Sequence, residues 1–329
     1  MGADLAQPLL SVSSLVKHFR ARRGGALVRA VDGVSFEIRR GEILGLIGES
    51  GCGKTTTGRL VMKLLPPTAG QIRFEGRDIT RCAPSEAADY RRRAQMIFQD
   101  PYASMNPRFR VRDVLREPLS IHRVGAGRLE REEIVRAALA EVKLLPAEDY
   151  LDRFPHMLSG GQRQRVATAR SLILSPSLLV ADEPVSMIDL STRAEILSMM
   201  RDVQRARGLS YLYITHDIST ARFFTDRLAV MYLGRIVEIG SADDIVEKPA
   251  HPYTRALIKA VCEPSPGRVR TIRDLAIRGE IPSPADIPSG CRFHPRCIFA
   301  TDRCRVAPEP ALTDVGPGHQ AACVRWKEI

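Results

Sequence analysis

Apolar and polar positions along the chain follow two different periods, which together predict a mixture of strands and helices. Three short apolar runs, EILGLIG (42–48), LLVADEP (178–184) and YLYITHD (211–217), lack a helical period. Near-continuous apolar runs of this length are typical of strands buried on both faces of a parallel sheet. The first run is followed by TTTGRLVMKLL, which predicts a helix stopped by Pro66-Pro67. The order strand, loop, helix predicts an α/β core.

A second region, between about 100 and 165, has the period of helices. The segments VRDVLREPL (111–119) and EEIVRAALAEVKLL (132–145) place apolar residues at i, i+3, i+4 and i+7. The polar, proline-containing segment QDPYASMNPR (99–108) before them predicts a loop. We therefore expect a helical subdomain at about 100–165.

The bulk properties of the 329 residues argue against several classes of protein. Hydrophobic residues make up 44% of the chain, as in folded globular proteins. No apolar run reaches the length of about 18 residues that a membrane-spanning helix needs, and MGADLAQPLL does not resemble a secretory signal. We therefore expect a cytosolic protein. The net charge is +11, but the chain lacks both a helix-turn-helix pattern and a basic stretch interleaved with aromatics, so we expect no nucleic-acid partner.

The segment GESGCGKTT (48–56) is the motif with the clearest chemistry. It fits the phosphate-binding pattern G-x-x-x-x-G-K-[ST] between a predicted strand and a predicted helix. Glycines let the backbone wrap closely around phosphate, and the helix adds its positive N-terminal end. We expect Lys54 to reach the β- and γ-phosphates and the hydroxyl of Thr55 to bind Mg²⁺. The nucleotide-binding residues predicted in this loop are Gly48, Ser50, Gly51, Gly53, Lys54, Thr55 and Thr56.

Two further strand ends carry side chains of the kind that phosphate chemistry needs. Ligands of open α/β sheets bind at the carboxyl ends of the strands. Asp182 is placed there to hold Mg²⁺, and Glu183 to polarise the water that attacks the γ-phosphate. His216, at the end of the third apolar run, is a candidate sensor of the γ-phosphate. The alternatives are a helix N-cap for the two acids and a structural histidine.

The segment LSGGQRQRVATARSL (158–172) predicts a helix that opens on two glycines, which is a second anion-binding helix end. A second such end, in a chain that already has a complete phosphate loop, suggests that each end serves a different nucleotide. Beside the phosphate loop and LSGGQ, the chain has Gln99 in IFQDP, Asp189 in SMIDL, and His216. In these five ordered motifs it resembles the ABC ATPases. The resemblance implies the α/β fold of a phosphate-loop NTPase, with an antiparallel β subdomain, a helical subdomain and a C-terminal extension.

The resemblance to the ABC ATPases also implies a head-to-tail dimer with ATP sandwiched between two subunits. Phe19, in LVKHF, matches the aromatic that stacks on adenine; the alternative is a core aromatic. The chain has SMID where the family usually has SALD, but it keeps Asp189, which is implied to lie at the nucleotide. The residues implied to face the ATP of the other subunit are Ser159, Gly160, Gly161 and Gln162. The implied catalytic residues are Glu183, His216 and Gln99, and those implied at Mg²⁺ are Thr55, Gln99 and Asp182.

Four further segments resemble a subgroup, the ATPases of oligopeptide and dipeptide importers. They are QDPYASMNPR, HPYTRAL (251–257), GEIPSP (279–284) and GCRFHPRC (290–297), and the first resembles the second, F-type ATPase of the usual pair. The resemblance implies an ATPase domain over 8–245, a C-terminal extension over 246–329, and ATP hydrolysis that drives peptide import. It also implies a paralogous ATPase, two membrane permeases and an extracytoplasmic binding protein as partners, at the cytoplasmic face of the inner membrane.

The subgroup leaves the cargo open, because relatives also move oligosaccharides or nickel chelates. An alternative from another class is a soluble ABC ATPase that does not serve transport. Such proteins usually carry two ATPase units or a coiled-coil insertion, and the sequence shows neither. A degenerate subunit that binds ATP without cleaving it would be expected to lose Glu183 or LSGGQ, and both are present.

Four cysteines near the end of the chain have the spacing C-x₅-C-x₆-C-x₁₈-C in a proline-rich segment without periodicity. Such a segment would gain stability from a bound metal. Zinc sites usually contain close C-x₂₋₄-C pairs, whereas wider spacing suits a [4Fe–4S] cluster, which some of the resembled ATPases carry. Zinc and reduced thiols stay open as alternatives. We expect this segment to be separate from the ATP-binding core. The candidate ligands are Cys291, Cys297, Cys304 and Cys323, with His294 and His319 as substitutes.

Overall fold

A computed structural model describes residues 7–20, 25–260, 277–306 and 308–329. The chain divides into two compact units. The first unit consists mainly of Ile38–Glu42 and Arg81–Tyr213. The second consists of Leu10–Glu37, Ile43–Thr80 and the described part of Ile214–Ile329.

The described residues form both strands and helices. None of these helices is both long enough and apolar enough to span a membrane. The strands are β1 (Leu10–Arg20), β2 (Leu27–Ile38), β3 (Ile43–Ile47), β4 (Ala69–Phe74), β5 (Arg77–Asp78), β6 (Ala94–Ile97), β7 (Leu178–Asp182), β8 (Ser210–Thr215), β9 (Arg227–Tyr232), β10 (Arg235–Ser241), β11 (Thr313–Gly316) and β12 (His319–Ala321). The helices are α1 (Lys54–Val61), α2 (Pro84–Arg93), α3 (Val111–Ile121), α4 (Arg128–Glu141), α5 (Glu148–Leu151), α6 (Gly160–Leu172), α7 (Leu190–Arg207), α8 (Ile218–Phe224), α9 (Ala242–Glu247) and α10 (Pro252–Ala260).

The second unit contains an antiparallel sheet in the order β2-β1-β4-β5. In the β1–β4 pair, Leu10 lies opposite Phe74 and Val12 lies opposite Ile72. These four apolar side chains are buried, and the positions between them are more exposed. A period of two in burial is typical of a sheet that packs against the core with one face. The antiparallel β subdomain predicted from the sequence is therefore present.

The same unit contains a second set of strands, in the order β11-β12-β10-β9-β3. Strand β3, which leads into the phosphate loop, is buried throughout and pairs in parallel with β9. Strand β10 pairs antiparallel with β9 on one side and with β12 on the other. The last strands of the chain thus continue the sheet that carries the phosphate loop.

The C-terminal extension also shares a hydrophobic core with the phosphate-loop strand. One buried cluster contains Ile47 of β3, Tyr232 of β9, Tyr253 of α10 and Phe293, with Cys297 packed against it. The expectation that the cysteine segment is separate from the ATP-binding core is therefore wrong. The physical reason is that a short segment with few apolar residues of its own gains burial by packing on an existing core.

The first unit contains the helical region and two parallel strands. Strands β6 and β7 pair in parallel, with Ala94 opposite Leu178 and Ile97 opposite Ala181. Helices α3, α4 and α6 pack against one another. Helix α3 buries one face that includes Val111 and Leu115. The segments with a helical period in the sequence therefore form helices, and their apolar faces pack together.

Helices α1 and α4 both end on a lysine in the left-handed conformation. The φ angle is 54° at Lys63, after α1, and 59° at Lys143, after α4. In each case the next amide donates to the carbonyl oxygen five residues earlier, at 2.8 Å after α1 and 2.9 Å after α4. This closing pattern usually uses glycine at the left-handed position. Helix α1 therefore ends at Val61, earlier than the stop at Pro66-Pro67 that the sequence predicts.

Candidate nucleotide-binding site

The loop between β3 and α1 has a backbone that glycine alone fits at two positions. Gly48 has φ 155° and Gly53 has φ 109°. A Cβ atom on Gly48 would lie 2.2 Å from the carbonyl oxygen of Met231, and one on Gly53 would lie 2.1 Å from that of Ala30. Because these contacts are with backbone atoms, they cannot be relieved by turning a side chain. Strand β9 and the start of β2 thus pack closely against the loop and leave no space for a Cβ atom at either glycine.

Lys54 lies inside the curve of this loop. Its side chain is buried, and Nζ donates to the carbonyl oxygens of Gly48 at 2.7 Å and Glu49 at 2.9 Å. Lys54 is the first residue of α1, whose N-cap, Gly53, makes no side-chain hydrogen bond. A positive charge therefore lies at a helix N-terminus without a side-chain cap, which is an arrangement suited to phosphate. Of the other predicted loop residues, Ser50 and Gly51 are exposed, and Thr55 and Thr56 are half-buried in the first turn of α1.

Glu49 in the same loop contacts two residues of the C-terminal extension. Arg296 donates to its two carboxylate oxygens at 2.7 and 3.0 Å. The backbone N–H of Glu49 donates to the hydroxyl oxygen of Tyr253 at 2.9 Å. Reasoning from the sequence missed these contacts, although HPYTRAL and GCRFHPRC contain both partners.

The first unit brings two predicted catalytic residues together. Nε2 of Gln99 donates to Oε2 of Glu183 at 3.0 Å. Glu183 follows directly after Asp182, the buried last residue of β7. Its φ of 47° is unusual for a residue other than glycine. A strained backbone at this position is typical of functional sites, where surrounding contacts hold the residue in place.

The alternative that Asp182 and Glu183 cap the next helix does not hold. The N-cap of α7 is Asp189, several residues further along the chain. Asp189 itself is exposed and makes no side-chain cap hydrogen bond. Asp189 thus occupies the N-cap position of α7, but its carboxylate does not bond to the helix backbone.

Helix α6 begins with a capping box formed by its own first residues. Oγ of Ser159 accepts from the N–H of Gln162 at 3.2 Å, and Oε1 of Gln162 accepts from the N–H of Ser159 at 3.0 Å. Gly160 is exposed, and a Cβ atom there would meet nothing within 4 Å. A Cβ atom on Gly161 would lie 2.5 Å from the side chain of Thr192. The spacing S-x-x-Q could have predicted the capping box from the sequence.

His216 and Phe19, both in the second unit, are each accessible. His216 directly follows β8 and is exposed. Phe19 lies on β1 with 38% of its surface exposed, and Nζ of Lys17 lies 5.2 Å from its ring centroid. The alternative that Phe19 is a core aromatic is therefore wrong. An accessible ring is what stacking on a base requires.

Two arginines of α6 hold the loop that follows Gln99. The guanidinium of Arg163 lies 5.5 Å from the ring centroid of Tyr102. Arg170 donates to the carbonyl oxygen of Ser104 at 2.8 Å and pairs with Glu117 at 2.9 Å. Reasoning from the sequence missed this link, because nothing local marks which arginines of α6 face the loop.

The four cysteines of the C-terminal extension line one pocket, together with His294. Burial raises the pKa of the Cys291 thiol to about 12 and that of the Cys323 thiol to about 11. Among the described residues, no three His, Cys, Asp or Glu side chains form a group that could hold a metal ion. His319 is not part of the pocket, since its Nε2 pairs with buried Glu238 at 2.7 Å. The prediction of His319 as a substitute ligand is therefore wrong.

Two known families match parts of the chain. The family described as "ABC transporter" matches residues 31–186. The family described as "Oligopeptide/dipeptide transporter, C-terminal region" matches residues 237–304. The second match includes Tyr253 and Arg296, the two residues that contact Glu49 of the phosphate loop.

Several curated proteins are similar to the chain over almost its whole length. A putative peptide import ATP-binding protein of Brucella ovis is 49% identical over 318 residues, which cover 97% of this chain and 98% of that protein. The putative oligopeptide transport ATP-binding protein YkfD of Bacillus subtilis is 43% identical, with 96% and 95% covered. The oligopeptide transport ATP-binding protein AppF of the same organism is 42% identical, with 98% and 99% covered.

Solved structures of ATP-binding cassettes resemble the chain as well. The dimeric cassette MJ0796 bound to ADP and Pi has a TM-score of 0.64 and 26% identity, covering 71% of this chain and 98% of that chain. The structure of cbiO1 from Clostridium perfringens, part of the complex cbiONQ, has a TM-score of 0.64 and 27% identity, covering 74% and 92%. The predicted fold class is thereby confirmed.

Proposed function

The chain belongs to the ABC transporter family, as an ATP-hydrolysing subunit with the oligopeptide/dipeptide transporter C-terminal region, and we propose that it powers the import of peptides. The relatives named for peptide import are 42–49% identical to it across nearly the whole chain, which supports a shared activity. The observation that carries the proposal is the phosphate loop, which places Lys54 at the N-terminus of α1.

We propose that this loop binds the phosphates of ATP and that the strand-end acids serve its Mg²⁺. Lys54 turns from the loop carbonyls to the β- and γ-phosphates when the nucleotide arrives. The hydroxyl of Thr55 is a ligand of Mg²⁺. Asp182 supplies a carboxylate to the same ion, as an oxygen donor of the kind that Mg²⁺ prefers. Ser50, Gly51 and Thr56 complete the phosphate contacts, and Phe19 stacks on the adenine.

Glu183 is the proposed general base of hydrolysis. It polarises a water molecule and accepts a proton from it, while the water oxygen attacks the γ-phosphorus and the bond from that phosphorus to the ADP oxygen breaks. Gln99 orients the Glu183 carboxylate through its hydrogen bond of 3.0 Å, and its side chain would also help to hold Mg²⁺. His216 senses the γ-phosphate from the end of β8.

The start of α6 is proposed to serve the ATP of a second subunit. The hydroxyl of Ser159 accepts one hydrogen bond within the capping box and can donate its own hydrogen to a phosphate oxygen. Gly160 leaves open space in front of the helix end, where a phosphate can approach. The relative MJ0796 is described as a dimer bound to ADP and Pi, which supports this arrangement. Asp189, Gly161 and Gln162 complete the proposed surface.

We propose that the chain acts at the cytoplasmic face of the inner membrane with two permeases. Its proposed ATPase partner is a paralogue, and an extracytoplasmic binding protein delivers the cargo. The loop 99–108, which the arginines of α6 hold in place, is the proposed contact with the permeases.

The test of this function is ATP hydrolysis in a complex reconstituted with the paralogue and the permeases. Glu183→Gln should retain ATP binding but lower turnover about a hundredfold or more, the order of a general base's contribution. Glu195→Gln, at an exposed position of α7, is the matched control and should keep normal turnover. Near-normal turnover in Glu183→Gln would contradict the assignment of the base.

The cargo is tested separately, by uptake into vesicles that contain the complex and the binding protein. Labelled di- and oligopeptides should accumulate on addition of ATP. Accumulation of oligosaccharides or of a nickel chelate, with no peptide uptake, would leave the ATPase in place but overturn the peptide cargo. ATP hydrolysis without any membrane partner at the full rate of the complex would favour a soluble, non-transport ATPase.

We also propose that the four cysteines hold a [4Fe–4S] cluster. The support is that Cys291, Cys297, Cys304 and Cys323 line one pocket together with Phe293 and Phe299. A cluster is larger than a single ion, so four thiolates can bind it although no group among the described residues suits one metal ion. The thiols must lose protons to bind iron, and burial opposes this loss where it raises the pKa, at Cys291 and Cys323. When bound, the cluster supplies a structural link within the C-terminal extension.

Anaerobic purification tests the cluster directly. The full chain should be brown and contain about four irons. Cys297→Ser should lose the colour and the iron, whereas Cys82→Ser, at a cysteine outside the pocket, should keep both. Iron-free protein with four titratable thiols, or protein with stoichiometric zinc, would overturn the cluster.

A further inference from the structure

The phosphate loop contains a carboxylate, which is a poor neighbour for an anionic ligand. Glu49 follows Gly48 directly, and its backbone carbonyl oxygen accepts from Nζ of Lys54. An unpaired negative charge in this loop would repel the phosphates of ATP and compete with them for Lys54. Glu49 would therefore lower the affinity for nucleotide unless another group neutralised its charge.

Arg296 of the C-terminal extension is the group that neutralises Glu49. Its guanidinium makes a bidentate ion pair with the carboxylate, at 2.7 and 3.0 Å. The side chain of Arg296 is 7% exposed and that of Glu49 is 23% exposed, so solvent screens the pair much less than a surface pair. Bidentate pairs of arginine and carboxylate fix geometry as well as charge. The pair thus holds the Glu49 side chain in one direction.

Aromatic rings from two distant parts of the sequence, those of Tyr232 and Phe293, hold Arg296 in position. Its guanidinium carbon lies 5.8 Å from the ring centroid of Tyr232 and 5.9 Å from that of Phe293. Phe293 and Arg296 belong to one tight turn, in which the N–H of Arg296 donates to the carbonyl oxygen of Phe293 at 3.0 Å. Cys291 and Cys297 flank this turn in the sequence.

A second contact fixes the backbone of the loop. The hydroxyl oxygen of fully buried Tyr253 accepts from the N–H of Glu49 at 2.9 Å. The ring of Tyr253 packs 4.6 Å from that of Tyr232 and 5.5 Å from that of Phe293, centroid to centroid. The same ring cluster therefore holds both the side chain and the backbone of Glu49.

We propose that the C-terminal extension tunes the affinity of the phosphate loop for nucleotide, with Arg296 as the positioning residue. Arg296 cancels the charge of Glu49 and keeps its carboxylate away from Lys54, so that Lys54 can bind phosphate. Tyr253 keeps the loop backbone in the conformation that this requires. The inference rests on the proposed function in one respect, namely that the loop binds ATP.

The experiment is a nucleotide titration of the full chain with a fluorescent ATP analogue. Arg296→Gln should weaken binding about tenfold, the order of one lost charge-assisted interaction. The double variant Glu49→Gln/Arg296→Gln should bind within about threefold of the unaltered chain, because it removes the repelling charge as well. Glu49→Gln alone should bind as tightly or more tightly. Arg305→Gln, a change at a largely exposed arginine of the same segment, is the matched control.

The double variant separates charge neutralisation from a folding role. If Arg296 merely stabilised the fold, both variants would lose nucleotide affinity together and unfold at the same lower temperature, and the inference would be overturned. Unchanged affinity in Arg296→Gln would overturn it as well. Failure of the unaltered chain to bind the analogue would overturn the proposed function and the inference with it.

Discussion

The chain contains two helix starts that are candidates for phosphate, those of α1 and α6, and they are stabilised in opposite ways. The start of α6 is closed by Ser159 and Gln162, three residues apart, through reciprocal hydrogen bonds. The start of α1 has a glycine N-cap without a side-chain bond. Its loop is instead held by Arg296, which is 247 residues from Glu49 in the sequence.

This difference separates a helix end that is complete by itself from one that depends on distant residues. A capping box satisfies backbone donors locally, so the hydrogen bonds at the start of α6 do not depend on distant residues. The start of α1 has no side-chain cap and takes its shape from β9, the start of β2 and the C-terminal extension. We expect the first to be robust and the second to be sensitive to changes far away.

Identical glycine substitutions should have opposite effects at the two helix starts. Gly53→Ala should lower the free energy of unfolding by about 4 kcal/mol, because a Cβ atom would strike the carbonyl oxygen of Ala30 at a φ of 109°. Gly160→Ala should raise it by about 0.5 kcal/mol, since the position is open and alanine favours helix. Urea unfolding measures both. Equal effects at the two positions would contradict the comparison.

Acid should destabilise the contacts that hold the start of α1, because it protonates His251, which is hydrogen-bonded to Tyr253. Burial lowers its pKa from 6.5 to about 4, and its Nδ1 accepts from the N–H of Tyr253, which requires a neutral ring. The unfolded chain binds a proton at higher pH than the folded chain. The contribution of neutral His251 to the free energy of unfolding is therefore fully present above pH 6.5 and is lost as the pH falls towards 4. The loss amounts to at most about 3 kcal/mol.

Unfolding by urea at several pH values checks this effect. His251→Asn keeps an acceptor for Tyr253 but cannot be protonated, so its stability should fall less between pH 6.5 and 4 than that of the unaltered chain. Parallel curves for the two proteins would show that another group is responsible.

Removing the positive charge of Lys54 should show that the starts of α1 and α6 have different functions. Lys54→Ala should weaken ATP binding by the isolated chain about thirtyfold, the order of a charge-assisted contact to phosphate. Gln162→Ala should leave binding by the isolated chain almost unchanged and lower turnover of the assembled complex, since α6 is proposed to serve the other subunit's ATP. Calorimetric titration measures the first, and phosphate release measures the second. A large loss of binding in Gln162→Ala would refute the division of roles.

A smaller loss of stability is expected at the capping box than at Gly53 or His251. Ser159→Ala removes the acceptor for the N–H of Gln162 and should lower the free energy of unfolding by about 1 kcal/mol. Ser159→Asp keeps an acceptor and should restore most of that stability, but its charge should block turnover of the assembled complex by repelling phosphate. A Ser159→Asp variant with full turnover would show that α6 does not face a nucleotide.

The sequence predicted those parts of the site that depend on local pattern. The phosphate loop, the acids after β7 and the glycines before α6 each follow an apolar run or open a helix, so their elements could be predicted. The S-x-x-Q capping box could have been predicted in the same way. The ends of α1 and α4 could not, because a lysine takes the left-handed position where glycine is the usual signal.

The contacts between the C-terminal extension and the phosphate loop were beyond local reasoning. HPYTRAL and GCRFHPRC carry the resemblance to the importer ATPases, but their sequence gives no sign that Tyr253 and Arg296 reach Glu49. Such pairing depends on how β9, β10 and α10 bring distant segments to one core. An acid inside a phosphate loop is the one local signal that could have prompted a search for a distant arginine.

The pairing of β12 with β10 has a further consequence for solubility. Strand β10, RIVEIGS, is mostly apolar and buried, and without β12 its backbone groups at 237–239 would be unpaired at a sheet edge. Exposed apolar edges are templates for pairing with other chains. Among the described residues, the C-terminal extension replaces that edge with β11, a four-residue strand that carries an exposed aspartate. Short, charged edges resist such pairing. The C-terminal extension is therefore expected to reduce aggregation by covering the apolar edge of β10.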